Sequence, residues 1–341
     1  MMQQTPQHFQ YWDSPRPEKL GDSHIDFLHS LQRPTWITIK GTDSSRTRAI
    51  VTLLHGNEPS GLKAVHKILK EGIVPATDLV IVIASVNAAL HPPILSHRYL
   101  PWEDDFNRCF KAPANTNQRK LAGELASRLR ELKPEAIVDT HNTSAHSDPF
   151  AVAVNHDKSI LQISQIFTRK LVVIDQHMGT LIEKTDASTP IVTIEFGSFM
   201  DQQADQLAYD SLVSFVSEGQ LFDVKVESSQ ILLHPLRLEI SETQAIHYSS
   251  SVQNDADLTI FNTIDQLNFT GLSSGTNIGW LGTSGLDGLC AVNAEGADLL
   301  DKYFHESDGF LTTKRDITIF MATTDSFIAR KDCLLYFTDS I

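Results

Sequence analysis

The chain of 341 residues has little cysteine: Cys109, Cys290 and Cys333 are all there is. They are odd in number and widely spaced, and no CxxC pair occurs. A cysteine zinc cluster and a disulfide framework are both excluded, and each thiol reads as a small core residue in a reducing compartment. Long apolar runs are missing as well; none approaches the roughly 20 residues that a bilayer-spanning helix needs. The first residues, Met1-Met-Gln-Gln-Thr-Pro-Gln-His8, lack a basic region followed by an apolar core, so no signal peptide is expected. These absences point to a cytoplasmic protein without a membrane partner. Positive charge is also scarce: 28 Lys and Arg stand against 42 Asp and Glu, a formal net charge of −14. With no basic run to offset that balance, nucleic acid is excluded as a partner. A small anionic substrate is not excluded, because a pocket can carry its own arginines.

What is present is the composition of a globular protein, 41% hydrophobic and 21% charged. Residues 1–34 are polar and dotted with proline, with a weak helical pattern around Ile25–Leu31, and read as an N-terminal arm. Trp36–Ile39 alternates and predicts an edge strand. Apolar runs at Ala49–Leu54, Leu79–Ala84, Ala136–Asp139, Phe150–Val154, Leu171–Ile174 and Pro190–Ile194 predict buried strands. Helical spacing falls between them, over Ser60–Glu71, Gln118–Leu132, Ser159–Arg169 and Gln202–Ser217. Strands alternating with helices imply an α/β domain with a mixed, mainly parallel sheet flanked by helices, over 35–220. A long loop rich in proline and charge, His91 to Asn117, interrupts it; loops of that length in a compact domain usually carry function. From 221 to 341 short alternating runs separated by Gly, Ser and Asp predict a smaller β-rich domain, with strands at Val224–Val226, Leu236–Ile240, Leu258–Ile260, Ile278–Leu281, Ile317–Ile319 and Leu334–Phe337. No internal repeat is evident.

The chemistry gathers where strands end. Ala49–Leu54 runs out into His55-Gly-Asn-Glu58-Pro-Ser-Gly61, a turn that passes through Pro59 into a helix, since proline is tolerated in a first helical turn. Ligands of open α/β sheets bind at the C-terminal ends of strands. An imidazole and a carboxylate three residues apart can converge on one cation. An HxxE pair alone is common by chance, but a third candidate ligand, His141, follows the strand Ala136–Asp139. A zinc hydrolase needs three protein ligands and an open position, and His55, Glu58 and His141 supply such a set. That leaves Glu195, after Pro190–Ile194, as a carboxylate free to move protons. Asp139 and His141 stand two apart on a strand and face the same way, so Asp139 is placed to orient an imidazole, although an Asp there also suits a turn cap.

Taken in order, His55-Gly-Asn-Glu58-Pro-Ser-Gly61, Arg98-Tyr99, Asp105-Phe-Asn107-Arg108-Cys-Phe110, Asp139-Thr-His141-Asn-Thr-Ser144 and Ile194-Glu195-Phe-Gly197 resemble the motifs of the succinylglutamate desuccinylase/aspartoacylase family, within the wider zinc carboxypeptidase-like fold. The resemblance covers roughly residues 48–218. It implies one Zn2+ per chain on His55, Glu58 and His141, and Glu195 as general base and acid. It implies Arg98 beside the scissile carbonyl, a role that suits a fixed positive charge next to developing negative charge. It implies Asn107 and Arg108 on the substrate carboxylate, where a guanidinium matches a carboxylate fork. The chain also departs from the pattern. Aspartoacylase has a further arginine upstream of its catalytic glutamate; here Leu181–Ser188 carries only Lys184, a point charge rather than a fork. The family's C-terminal tyrosine has no counterpart in register; Tyr303 lies nearby. Pro101 and Trp102 lie in an insertion between Arg98 and Asn107 that reshapes the pocket wall.

The expected activity is a zinc-dependent amidohydrolase acting on a small anionic N-acyl amino acid. The alternative is a zinc carboxypeptidase acting on short peptides or cell-wall fragments, and a binding module that keeps the fold is a third reading. The acyl group, the amino acid and assembly into a homo-oligomer stay open.

Overall fold

The alternating pattern of the first two-thirds of the chain folds as one compact unit, Met1–Asn142 with Pro149–Leu171 and His177–Gln230. The structure, a computed structural model, describes residues 8–111, 113–175, 177–184 and 189–340. In chain order the strands are β1 Gln10–Asp13, β2 Thr35–Ile39, β3 Asp43–Thr52, β4 Thr77–Ile83, β5 Ala136–Thr143, β6 Phe150–Ala153, β7 Lys170–Val173, β8 Ile191–Ser198 and β9 Gln230–Leu233. They form a nine-stranded sheet of order β1-β2-β4-β3-β5-β8-β6-β7-β9. The sheet is mixed: β3 is parallel to β4 and β5, while β2 with β4 and β6 with β8 are antiparallel. Its helices are α1 His24–Leu31, α2 Ser60–Glu71, α3 Val86–Leu90, α4 Asn117–Leu132, α5 Lys158–Phe167 and α6 Gln202–Ser217.

Strands β3, β5 and β8 are neighbours in the middle of this sheet. From β3 the chain leaves through α2 to β4 on one side, and later returns to β5 on the other. Connections that part in this way open a crevice at the C-terminal strand ends. The central strands read as unbroken apolar runs because both faces are covered; Ile50, Val51, Ile81, Val82 and Val138 are fully buried.

The helix bounds follow local chemistry. Helix α2 stops at Gly72, whose φ of +67° suits a residue without Cβ and lets its N–H cap the last turn. Helix α6 starts at Asp201, whose carboxylate accepts the N–H of Gln203 at 2.8 Å. Ser60 Oγ and Lys63 Nζ both donate to Asp205, each at 2.7 Å, and tie α2 to α6. Gly61 in α2 sits against the sheet, where an added Cβ would lie 2.0 Å from Thr140 Oγ1 and 2.5 Å from Thr52 Oγ1. Gly61→Ala is therefore expected to cost about 1–3 kcal/mol by overpacking, read as a lower urea midpoint; an unchanged midpoint would show that α2 can shift outward freely.

Two sequence expectations are corrected here. Strand β2 is not at the edge, because β1, within the N-terminal arm, pairs parallel to it from Gln10↔Thr35 to Asp13↔Thr38. A strand of four residues is too short for alternation to show. It is held partly from outside, by Tyr11 Oη donating to Glu124 on α4 at 3.1 Å. Val224–Val226 is not a strand: Gln162 Nε2 donates to the carbonyls of Phe222 and Val224 at 2.7 Å each, so a side-chain amide serves carbonyls that a strand would have paired.

The second unit comprises Thr143–Asp148, Val172–Gln176 and Ile231–Ile341. It adds β10 Leu236–Ile240, β11 Ile246–Ser249, β12 Leu258–Phe261, β13 Gly271–Leu272, β14 Asn277–Leu281, β15 Leu289–Val292, β16 Phe304–Ser307, β17 Phe310–Thr313, β18 Ile317–Phe320 and β19 Leu335–Asp339. They build two five-stranded sheets, β13-β18-β19-β10-β15 and β11-β12-β14-β17-β16. Leu238, Leu258, Ile260, Ile278, Leu311, Ile319 and Phe337 fill a common core. Among the described residues no helix is long and apolar enough to cross a membrane.

Candidate active site

The site begins where β3 ends. Leu53 is fully buried and held at φ +59°, a region that a residue with a Cβ occupies only when its surroundings enforce it. The strand direction breaks there and the chain enters His55-Gly56-Asn57-Glu58. Gly56 permits the close approach of the long loop: an added Cβ would stand 2.6 Å from the carbonyl oxygen of His97 and 2.7 Å from Ala89 N. Its own N–H donates to the carbonyl of Arg98 at 2.9 Å. The turn carrying His55 and Glu58 and the loop carrying Arg98 are thus fastened backbone to backbone.

His141 lies on β5, which runs on to Thr143 rather than stopping at Asp139. His55, Glu58 and His141 are 3%, 6% and 2% exposed, and one donor atom from each lies within 4.8 Å of the others. His55 Nδ1 is 2.8 Å from Glu58 Oε1, and His141 Nδ1 is 2.6 Å from Glu58 Oε2. The far nitrogens point outward to other carboxylates: His55 Nε2 is 3.1 Å from Asp105 Oδ1, and His141 Nε2 is 3.0 Å from Asp139 Oδ2. Each imidazole thus lies between two carboxylates. With an ion on the Nδ1 side, Nε2 would carry the proton and donate it outward, leaving the Nδ1 lone pair for the metal. Two imidazoles and a carboxylate are a borderline-soft donor set that suits zinc, whose ligand bonds of about 2.0–2.2 Å are within reach of small side-chain rotations from these positions. The residues present therefore fit a divalent cation.

Charge balance in the cluster is tight. Burial opposes ionisation of Glu58, but the two imidazoles outweigh it and hold its carboxyl below the ordinary carboxylate range. Burial likewise opposes charging of His141, and Asp139 and Glu58 outweigh it and push its pKa well up. Glu195 behaves in the opposite way. It sits within β8, which continues through Gly197 to Ser198 rather than ending at Glu195. Burial pushes its carboxyl up to about 7; the attraction of His141 opposes the shift and the negative charge of Glu58 adds to it. Its Oε2 is buried without a hydrogen-bond partner among the described residues. A carboxyl near neutral pKa with an unengaged oxygen, beside a candidate metal cluster, is the state a proton-transfer group needs.

The loop residues converge on the same place. Arg98, with its side chain 40% exposed, donates from Nε to Asp105 Oδ2 at 3.0 Å, and its Nη1 is 3.5 Å from Glu58 Oε1. Asn107 is buried in a 3-10 turn, Phe106–Arg108, and its Oδ1 accepts the N–H of Leu181 at 3.1 Å. Arg108 Nη1 donates back to the carbonyl of Asn107 at 3.0 Å. Lys184 lines a cleft with Ala126, Leu129, Arg130, Ile137, Leu181 and Thr189. The rest of that stretch, 185–188, lies outside the described residues. Tyr303 is 2% exposed in the core of the second unit, its ring on Phe337 and its hydroxyl donating to Asp339 Oδ2 at 3.2 Å.

Two motif residues have no role in the sequence reading. Asp105 accepts from both His55 and Arg98; its place two residues before Asn107, whose N–H it caps at 2.9 Å, was the available signal. Asn142 ties the centre of the site together: its Oδ1 accepts Ser60 N at 3.0 Å, and its Nδ2 donates to Ser60 Oγ at 2.9 Å and to the carbonyl of Gly197 at 3.1 Å. It thus links the start of α2, β5 and β8, and nothing in an Asn next to a His announces that.

Fold and cluster together define a mixed α/β domain of the hydrolytic kind. Residues 44–216, about half of the chain, match the family model of the succinylglutamate desuccinylase/aspartoacylase catalytic domain, and the chain belongs to that family of deacylases. Solved structures agree at the level of fold. The succinylglutamate desuccinylase/aspartoacylase of Rhodobacter sphaeroides is 15% identical over 89% of this chain and 88% of its own, with a TM-score of 0.58. Murine aminoacylase 3 is 15% identical over 88% of this chain and 97% of its own, with a TM-score of 0.52. The product-bound ectoine utilization protein EutE (DoeB) of Ruegeria pomeroyi is 16% identical over 83% and 81%, with a TM-score of 0.55. No curated protein matches the chain by sequence.

Proposed function

We propose that this deacylase is metal-dependent and hydrolyses the amide bond of a small N-acyl amino acid with a free carboxylate. The observation that carries the reading is the paired orientation of the imidazoles. Both Nδ1 atoms face Glu58, both Nε2 atoms face outer carboxylates, and Glu195 has an oxygen unengaged among the described residues. His55, Glu58 and His141 would hold a zinc ion, which supplies a Lewis acid and brings the pKa of a water toward neutrality when bound.

The chain's own residues divide the remaining work. Glu195 accepts a proton from the attacking water and returns it to the leaving nitrogen, using one carboxyl in two directions. Arg98 sets its guanidinium beside the amide oxygen, where negative charge grows in the transition state. Asn107 and Arg108 hold the substrate carboxylate, and Asp139 keeps His141 in the Nε2–H form. Three free cysteines support a reducing, cytoplasmic setting.

The test is metal analysis of the purified protein followed by a screen of N-acyl amino acids against dipeptides. We expect about one zinc per chain, loss of turnover on chelation with recovery on zinc addition, and faster cleavage of acyl amino acids than of dipeptides. Full zinc loading with preferred cleavage of dipeptides would move the assignment to a carboxypeptidase. Zinc loading without turnover of either class would remove the enzyme reading.

A further inference from the structure

Asp105 is the point at which three parts of the site meet. It belongs to the long loop, its side chain is 17% exposed, and each carboxylate oxygen is committed. Oδ1 faces His55 Nε2 at 3.1 Å and accepts Asn107 N–H at 2.9 Å; Oδ2 accepts Arg98 Nε–H at 3.0 Å. His55 is a candidate metal ligand, Arg98 the candidate oxyanion group, and Asn107 with Arg108 the candidate carboxylate clamp. From this we infer that Asp105 is a positioning residue that sets the metal ligand, the oxyanion arginine and the carboxylate clamp in register through one side chain. The inference rests on the deacylase reading for the role of Arg98, while the part that concerns His55 stands on metal binding alone.

The physical reasoning is one of shared constraint. A guanidinium on a side chain that is 40% exposed has many rotamers, and without an anchor it does not hold one position over the amide oxygen. Asp105 binds Nε, the atom nearest the stem, which restricts the guanidinium plane, while Nη1 stands 3.5 Å from Glu58 Oε1. The same carboxylate fixes the tautomer of His55. It also caps the turn that presents Asn107 and Arg108, whose own backbone could otherwise move with the loop. Movement of the loop therefore displaces all three groups together.

Asp105→Asn separates the functions. An Asn oxygen satisfies the two donors at the Oδ1 position, which turns the Asn NH2 toward Arg98, where it cannot accept. Asp105→Asn is expected to keep zinc affinity and KM close to wild type while kcat falls about 10–100-fold, the usual effect of losing an outer partner. Asp105→Ala loses all three contacts, so zinc affinity falls about 10–100-fold and KM rises. Arg98→Ala lowers kcat about 100–1,000-fold, as removal of an oxyanion donor does. The double variant Asp105→Asn/Arg98→Ala should be no slower than Arg98→Ala, because Asp105 then has no arginine to position.

The measurements are zinc affinity by competition with a chromophoric chelator, and kcat and KM for each variant. Multiplied kcat losses in the double variant, or an Asp105→Ala protein that holds zinc as tightly as wild type, would overturn the inference. If Asp105→Ala does not fold, Asp105→Asn and the double variant still decide it. Should the wild type cleave no acyl amino acid, the function reading fails, and the zinc affinities of the wild type, Asp105→Asn and Asp105→Ala still test Asp105.

Discussion

Glu195→Gln is expected to lower turnover about 1,000-fold, within the range that a positioned acid–base group contributes, to leave zinc bound, and to make the metal-free protein more stable above neutral pH. The three effects share one cause. Burial raises the Glu195 carboxyl from its ordinary 4.5 to about 7, and its Oε2 has no hydrogen-bond partner among the described residues. Between those two pH values the folded chain holds a proton that the unfolded chain has lost. Stability therefore falls as pH rises from about 4.5 to about 7 and stays at the lower level above that. Glutamine carries no charge and does not incur this loss, so its advantage over wild type should be absent below the lower value and fully developed above the upper one. Activity runs the other way, because the ionised form accepts the proton: kcat/KM of the wild type should fall as pH drops through the pKa of Glu195. A cation on the neighbouring cluster draws that pKa down, so the acid limb of the loaded enzyme should lie at or below the midpoint seen in metal-free stability. Calorimetry across pH and a pH–rate profile check both. A Glu195→Gln enzyme with more than about a tenth of wild-type turnover would remove Glu195 from the proton path.

What could be read without coordinates was whatever is local. Ser60–Glu71 and Gln202–Ser217 came out with the bounds seen here, because Gly72 and Asp201 mark their ends in adjacent residues. The cluster His55, Glu58 and His141 was legible because each residue follows an apolar run, and strand ends bring distant residues together by rule. Asp105 was not, since its partners lie 50 and 7 residues away and no spacing rule connects a loop carboxylate with them. The short strands of the second unit were largely visible as alternation. Their pairing, β13-β18-β19-β10-β15 in one sheet, was not, since it depends on long-range partners such as Leu236 with Phe337.

The two imidazoles should differ sharply when each is removed. His55→Ala and His141→Ala each take away one donor of the cluster and should both abolish stoichiometric zinc binding. Their stabilities without metal should not match. His141 stands between Glu58 and Asp139, and Asp139 is fully buried; among the described residues its Oδ1 has no hydrogen-bond partner and Thr193 Oγ1, at 3.1 Å, is the one other donor to Oδ2. Deleting His141 leaves a buried carboxylate without its cation, a loss of about 3–5 kcal/mol for such pairs. Deleting His55 leaves Asp105 still bound by Arg98 and by Asn107 N–H, so no buried charge is stranded and the loss should be smaller. The sign of the pH dependence follows from His141, whose pKa is raised above 6.5 when folded. Its stabilisation is complete below that value and is lost only as pH climbs through the raised one, so the difference between the variants should be largest in mildly acidic buffer and shrink at alkaline pH. Adding Asp139→Asn to His141→Ala should recover part of the loss, because a neutral amide tolerates that site better than a lone carboxylate. Urea midpoints of the metal-free proteins give the comparison. Equal midpoints for His55→Ala and His141→Ala would mean that Asp139 is not held by His141 at all, and the outer carboxylates would then have no part in shaping the site.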